Sequence, residues 1–206
     1  MEEVGHLLGR GLLTWLIPMV GSVFIARMDP EWRYRPIHCH KLVLYGAAVI
    51  MNATIPPREG MVSRILTCLL LGLLLLACLT DLVGCFVYRF VWWFAWTCGI
   101  LLLLQTDSFR PGSMMTLGSF ILLQEVWFAG MYGRADCHAF VACALLEVAL
   151  GAGMLELLLH MAVTFGLLAL VQGLRGNIAK NGTLIGPQPL LPYIAIGLCV
   201  IRVCLL

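Results

Sequence analysis

The chain has 206 residues, of which 61% are hydrophobic and 12% are charged, and its formal net charge is +2. A soluble globular domain carries about 25% charged residues, so this composition excludes an ordinary soluble domain and predicts an integral membrane protein. The small net charge gives no indication of a nucleic-acid partner. We therefore expect membrane lipids, and not nucleic acid, to surround the chain.

Leucine-rich runs of roughly 15 to 22 residues alternate with short polar loops, which predicts an all-α polytopic membrane protein with about eight transmembrane helices. The predicted helices cover residues 7–26, 42–55, 65–80, 91–105, 114–131, 137–150, 154–174 and 192–206. The first run follows acidic residues and not a basic start, so we expect a retained helix. Residues 1–64 then form an N-terminal region of two helices joined by a short basic cytoplasmic loop, and residues 65–206 form a core of six helices.

Cysteine and histidine give little sign of a metal site. The nine cysteines are scattered and include no CxxC pair, which predicts neither a disulfide framework nor a zinc site. His38, Cys39 and His40 have metal-capable side chains, but adjacent residues do not converge easily on one ion. We expect no bound metal.

The distribution of lysine and arginine predicts an orientation, because these residues are more frequent in short cytoplasmic loops. With the N-terminus outside, eight of the thirteen basic residues lie on the cytoplasmic side. They are Arg27, Arg33, Arg35, Lys41, Arg89, Arg134, Arg175 and Lys180. In this orientation Asp81, which ends the third predicted helix, and Asp136, which begins the sixth, both lie at the cytoplasmic boundary.

Asp81 and Asp136 are the candidate catalytic residues, since an ionisable group near the hydrocarbon is costly and indicates a functional site. Two adjacent carboxyl groups share one proton, so that one acts as base on a water molecule while the other donates a proton. Gly133 and Ala135 are small and would let a substrate or a neighbouring helix approach closely. This chemistry requires no cofactor. The alternative is that Asp136 simply caps a helix N-terminus.

Two stretches resemble a known family. Asp81 at a helix end, followed by GRAD (133–136) at the start of a later helix, resembles the GxGD intramembrane aspartyl proteases, and most of all the type IV prepilin peptidases. The segment PLLPYIAIG (189–197) is similar to the PFGPFLALG-like segment late in that family. The resemblance extends from about Ile65 to the C-terminus. It departs from the family pattern at Ala135, where a glycine is usual, and at His138, where a lysine is frequent.

The resemblance implies a bacterial inner-membrane aspartyl endopeptidase that removes the basic leader of prepilin or pseudopilin precursors at the cytoplasmic face. Asp81 and Asp136 would be its catalytic pair. Candidate substrate-binding or supporting residues are Gly133, Arg134, Ala135, His138, Pro189 and Pro192. Larger family members also carry a CxxC-containing domain and methylate the new N-terminus. The loop at residues 27–41 is too short for that domain, so we expect a short form without methyltransferase activity.

Two alternatives remain open. The chain could be a non-catalytic membrane scaffold or a small-solute transporter with a degenerate GxGD motif, whose function depends on the intramembrane residues Glu125, Glu147 and Glu156. A presenilin-like protease that cuts within the membrane would share the chemistry but not the substrate. Glu156 is four residues before His160, a spacing that predicts a side-chain pair on one helix.

Overall fold

The computed structural model describes residues 2–29, 32, 41–55, 60–106, 108–177 and 188–205. Within these ranges the chain is helical and contains no β-strand, which confirms the all-α prediction. The eight α-helices of these ranges are α1 (Glu2–Met28), α2 (Lys41–Thr54), α3 (Met61–Gly84), α4 (Arg89–Gln105), α5 (Pro111–Leu123), α6 (Arg134–Ala149), α7 (Met154–Leu174) and α8 (Leu191–Leu205). The π-helical turn Gln124–Phe128 continues α5. Most of the basic loop 27–41, including His38, Cys39 and His40, lies outside the described residues.

The predicted number of transmembrane helices is too high. In the described part of the chain, only α1, α3 and α7 are long and apolar enough to cross a membrane. The others have 13 to 17 residues, which at 1.5 Å per residue gives roughly 20–26 Å. A hydrocarbon layer of about 30 Å is thicker than that. Apolar composition alone therefore did not distinguish a spanning helix from a shorter apolar helix.

Helices α3 and α6 form the centre of the bundle. In α3, 83% of the most apolar segment is buried, against 22% in α1 and in α7. Helix α3 packs against α1, α4 and α8, while α6 packs mainly against α4. From Ala139 to Ala149 every residue of α6 is buried, and many of these residues are alanine, which allows close helix packing. The central pair carries Asp81 and Asp136.

Small and polar residues join α1 and α2 to this centre. Gly72 of α3 lies so close to α1 that a Cβ atom there would come 2.8 Å from the Thr14 carbonyl oxygen. The buried Asn52 side chain donates from Nδ2 to Thr14 Oγ1 at 2.9 Å. Thr14 Oγ1 in turn donates to the Cys68 carbonyl at 3.3 Å. This polar cluster ties three helices together within an otherwise apolar contact.

Candidate active site

Asp81 lies one turn inside α3, which corrects the prediction that it ends the helix. The helix continues to Gly84, and Cys85 then adopts a left-handed conformation (φ 52°) with its N–H bonded to the Asp81 carbonyl. The Asp81 side chain is buried, with 6% of its surface exposed. Its Oδ2 accepts a hydrogen bond of 3.0 Å from the Leu191 N–H, and the Leu190 backbone also bonds the carboxyl group. The first turn of α8 therefore fixes this carboxyl group in place.

Asp136 belongs to the first turn of α6, where Gly133 is the N-cap. The carboxyl group folds back to accept a hydrogen bond from the Gly133 backbone. A Cβ atom at position 133 would come 3.2 Å from Asp136 Oδ2, which is tighter than an ordinary contact. The alternative prediction, that Asp136 caps a helix N-terminus, thus agrees with the structure. It also supplies a reason for glycine at position 133, because a larger residue would press on the carboxyl group.

The fold brings the two aspartates close enough for their charges to interact. Asp136 precedes the apolar part of α6 and is outside the three membrane-spanning helices. Burial, and secondly the charge of Asp81, raise the pKa of Asp136 from 3.8 to about 7, against the opposing effect of the Gly133 hydrogen bond. The Cys85 thiol, just beyond α3, is near both carboxyl groups, since burial and then Asp81 and Asp136 raise its pKa. Sharing of one proton by two such groups is the arrangement of an aspartic pair.

The PLLPYIAIG segment contributes to this site through its backbone and through close helix packing. Pro189 lies just before α8, and Pro192 lies in its first turn, beside the Leu191 N–H that bonds Asp81. Further along, a Cβ atom at Gly197 would come 2.5 Å from Thr164 Oγ1 and 3.1 Å from the His160 ring. Glycine therefore allows α8 to lie directly against α7.

An apolar groove runs between α2, α3 and α8, with a volume of about 420 Å³. Leu79 and Leu82 of α3 and Pro192 and Ala195 of α8 form two of its sides, and Ala47 lies on the α2 side. Leu82 follows Asp81 directly, and Pro192 follows Leu191. Residues next in sequence to Asp81 and to its hydrogen-bond donor thus line the groove, whereas Asp81 and Asp136 themselves do not.

The remaining predicted supporting residues, Arg134, Ala135 and His138, lie in three different environments. Arg134 is exposed at the start of α6, and Ala135 packs against the core. His138 lies beside Trp96 at a ring-centre distance of 4.8 Å, and its Nδ1 is 3.7 Å from Glu125 Oε1. The described contacts of His138 are therefore with α4 and the π-helical turn, and none of them joins it to Asp81.

The three glutamates do not form one site. Glu125 is exposed, and Glu156 caps α7 by accepting the Gly153 N–H at 2.9 Å. The predicted pair of Glu156 with His160 is wrong, because His160 Nδ1 lies 3.0 Å from Glu147 Oε2 on α6. The i,i+4 spacing suggested a local partner, whereas the packing of two helices supplied a buried one. The sequence did not identify His160 as the partner of Glu147, and the signal for this contact was the presence of two ionisable residues in neighbouring apolar helices.

Among the residues that the structure describes, no group of three or more histidine, cysteine, aspartate or glutamate side chains is arranged to hold a metal ion. The composition and the three long apolar helices indicate a helical membrane protein, in which the buried Asp81 and the half-buried Asp136 interact electrostatically. Comparisons with protein-family models, curated proteins and solved structures find no match to the chain.

Proposed function

We propose that the chain is a membrane aspartyl endopeptidase that cleaves the basic leader of type IV prepilin-like precursors. The observation that carries the proposal is the interaction of Asp81 with Asp136, two residues far apart in sequence. The backbone of PLLPYIAIG bonds one member of that pair, which is consistent with the resemblance of this segment and of GRAD to the same family.

In the proposed reaction the carboxyl pair holds one proton and one negative charge. The ionised aspartate takes a proton from water while the oxygen of that water bonds to the carbonyl carbon of the peptide. The protonated aspartate donates its proton to the nitrogen of the peptide bond, and the carbon–nitrogen bond breaks to release a carboxylic acid and an amine. The Leu191 N–H holds Asp81 in one orientation throughout. Water is the only co-reactant, and the reaction requires no cofactor.

The substrate of the proposed enzyme is a prepilin or pseudopilin precursor with an apolar helix after its leader. That helix would occupy the groove lined by Leu79, Leu82 and Ala195, with the scissile bond beside Asp81. A basic leader is retained on the cytoplasmic side. We accordingly place the protein in a bacterial inner membrane, with its active site facing the cytoplasm. An N-terminus on the outside fits this placement if α2 also crosses the membrane, because α1 and α3 alone would return Asp81 to the outer side.

The test is to co-express the chain with an epitope-tagged prepilin and to follow the shift in precursor size on immunoblots. Asp81→Asn and Asp136→Asn should each reduce processing at least about a hundredfold, because neither amide transfers the proton. Glu3→Gln, on the exposed side of α1, is the matched control and should process normally. Undiminished cleavage by either asparagine variant would refute the carboxyl pair.

A second candidate function is a non-catalytic scaffold or small-solute transporter. The buried Glu147–His160 contact favours it, since ionisable groups inside a helical membrane bundle frequently mark a solute or proton pathway. This candidate predicts that the wild-type chain cleaves none of several pilin-like precursors. It also predicts that both asparagine variants retain its function.

A further inference from the structure

Glu147, His160 and Ile194 form a chain of contacts that joins three helices at the centre of the bundle. Glu147 on α6 and His160 on α7 are each 1% exposed. Their side chains are 3.0 Å apart, and His160 Nε2 lies 2.9 Å from the Ile194 carbonyl oxygen on α8. Arg202 Nη2, further along α8, donates to the Glu147 carbonyl oxygen at 3.1 Å. Helix α8 is therefore linked to α6 at two points, through His160 and through Arg202.

The Ile194 carbonyl oxygen determines where the protons of this network lie. A backbone carbonyl oxygen only accepts, so His160 Nε2 must carry a proton. His160 Nδ1 then either donates to the Glu147 carboxylate or accepts from the protonated acid. Either arrangement leaves the pair with no net charge, which is the form that a buried site tolerates. The Ile194 contact thus persists for both placements of the shared proton.

The Ile194 carbonyl belongs to the first turn of α8. Leu191 is three residues earlier, about 4.5 Å along the helix axis, and its N–H is the donor to Asp81 at 3.0 Å. A rotation of α8 by one residue is about 100° and would turn this N–H away from the carboxyl group. Gly197 allows α8 to approach His160 closely enough for the contact. The His160–Ile194 contact thus lies within one helical turn of the N–H that bonds Asp81.

We propose that Glu147 and His160 are positioning residues that set the rotation of α8 and thereby hold the Leu191 N–H on Asp81. This inference rests on the proposed peptidase function for its kinetic consequence. Its structural consequence, the placement of α8 against α3, is independent of that function.

The test replaces both residues with apolar ones of similar shape, in the variant Glu147→Met/His160→Phe. Replacing a buried pair in this manner is often neutral or stabilising. The introduced phenyl ring would keep the contact that the His160 ring now makes with Phe140, at 5.6 Å between ring centres. The positioning role predicts that this variant folds, keeps its KM and loses about a hundredfold in kcat, since a misplacement of about 1 Å has that cost. The conservative single variant Glu147→Gln keeps an oxygen and an amide that can bond His160, so its kcat should stay near the wild-type value.

A second measurement requires no cleavage. Leu82 of α3 and Ile196 of α8 line the same groove and are exposed, so a bifunctional thiol reagent should join the cysteines of Leu82→Cys/Ile196→Cys when α8 has its native rotation. We expect the cross-linked peptide pair, measured by mass spectrometry, in the chain with these two changes alone and after Glu147→Gln is added. The cross-link should be lost when Glu147→Met/His160→Phe is added instead. If the wild type cleaves no substrate, the cross-link still tests the placement of α8 and only the proposed function fails.

Two results would overturn the positioning role. One is a folded double variant with native cross-linking and native kcat. The other is a double variant that does not fold by circular dichroism, because the pair would then be a folding element and not a positioning device.

Discussion

Substitution of Gly197 by alanine tests the close packing of α7 and α8. The added Cβ atom would lie 2.5 Å from Thr164 Oγ1 and 3.1 Å from His160 Cδ2, whereas carbon contacts are optimal at about 3.5–4.0 Å. The two helices would have to separate by roughly 1 Å, and overpacking of this kind costs about 1–3 kcal/mol. Alanine also favours a helix by about 1 kcal/mol relative to glycine, so a control must carry the same gain.

Gly166→Ala provides that control, because Gly166 lies in α7 with no atom within 4 Å of its ideal Cβ position. The difference between the two variants isolates the clash and should be about 1–3 kcal/mol in the free energy of unfolding. For a chain of this size each kcal/mol shifts Tm by about 2–4 °C, so Gly197→Ala should melt roughly 2–12 °C below Gly166→Ala in detergent. Adding Thr164→Ala removes the shortest contact, and a double-mutant cycle should show a favourable coupling. Equal melting temperatures of the two glycine variants would refute the close approach of α8.

Three further predictions concern the other contacts. Gly72→Ala should destabilise the chain by about 1–3 kcal/mol, because the added Cβ atom would lie 2.8 Å from the backbone carbonyl oxygen of Thr14. Gly46→Ala is the control, since its Cβ atom would have no atom within 4 Å, and thermal melts of both variants check the difference. Asn52→Ala leaves buried partners unpaired and should cost about 1–3 kcal/mol in the same assay, and an unchanged melt would contradict the cluster. The raised pKa of Asp136 means that its protonated form favours the folded state. The free energy of unfolding should therefore fall as pH rises from about 4 to about 7, and denaturant titrations should show this slope flattened in Asp136→Asn.

The positions of the helices were largely readable from the sequence, because apolar runs and Gly or Pro breaks are local features. Helix α7 has the predicted bounds, Met154–Leu174, and α2 and α4 agree within two residues. The end of α3 was less predictable, since Asp81 looked like a terminating residue in an apolar run. In the fold the helix continues to Gly84 and ends at Cys85, which adopts a left-handed conformation, while the Leu191 N–H bonds the Asp81 carboxyl group.

The partners of the ionisable residues were harder to predict than the helices that carry them. Glu156 and His160 have a spacing that fits a local pair. In the structure, however, Glu156 accepts a hydrogen bond from the Gly153 N–H at the N-terminus of α7, and His160 contacts Glu147. A periodicity argument compares residues of one helix only. It contains no information about which face of another helix lies opposite, and for buried groups that face decides the partner.

The sequence by itself determined an all-helical, lipid-facing chain, because composition and apolar run length depend on local residues and on the solvent that surrounds them. It also marked Asp81 and Asp136 as costly groups in an apolar setting. Only the tertiary structure decided that α3, α6 and α8 bring these carboxyl groups near each other and place the Leu191 N–H on Asp81. The physical reason is that such contacts arise from close packing between helices distant in sequence, where glycine and alanine set the approach and buried polar groups must find partners.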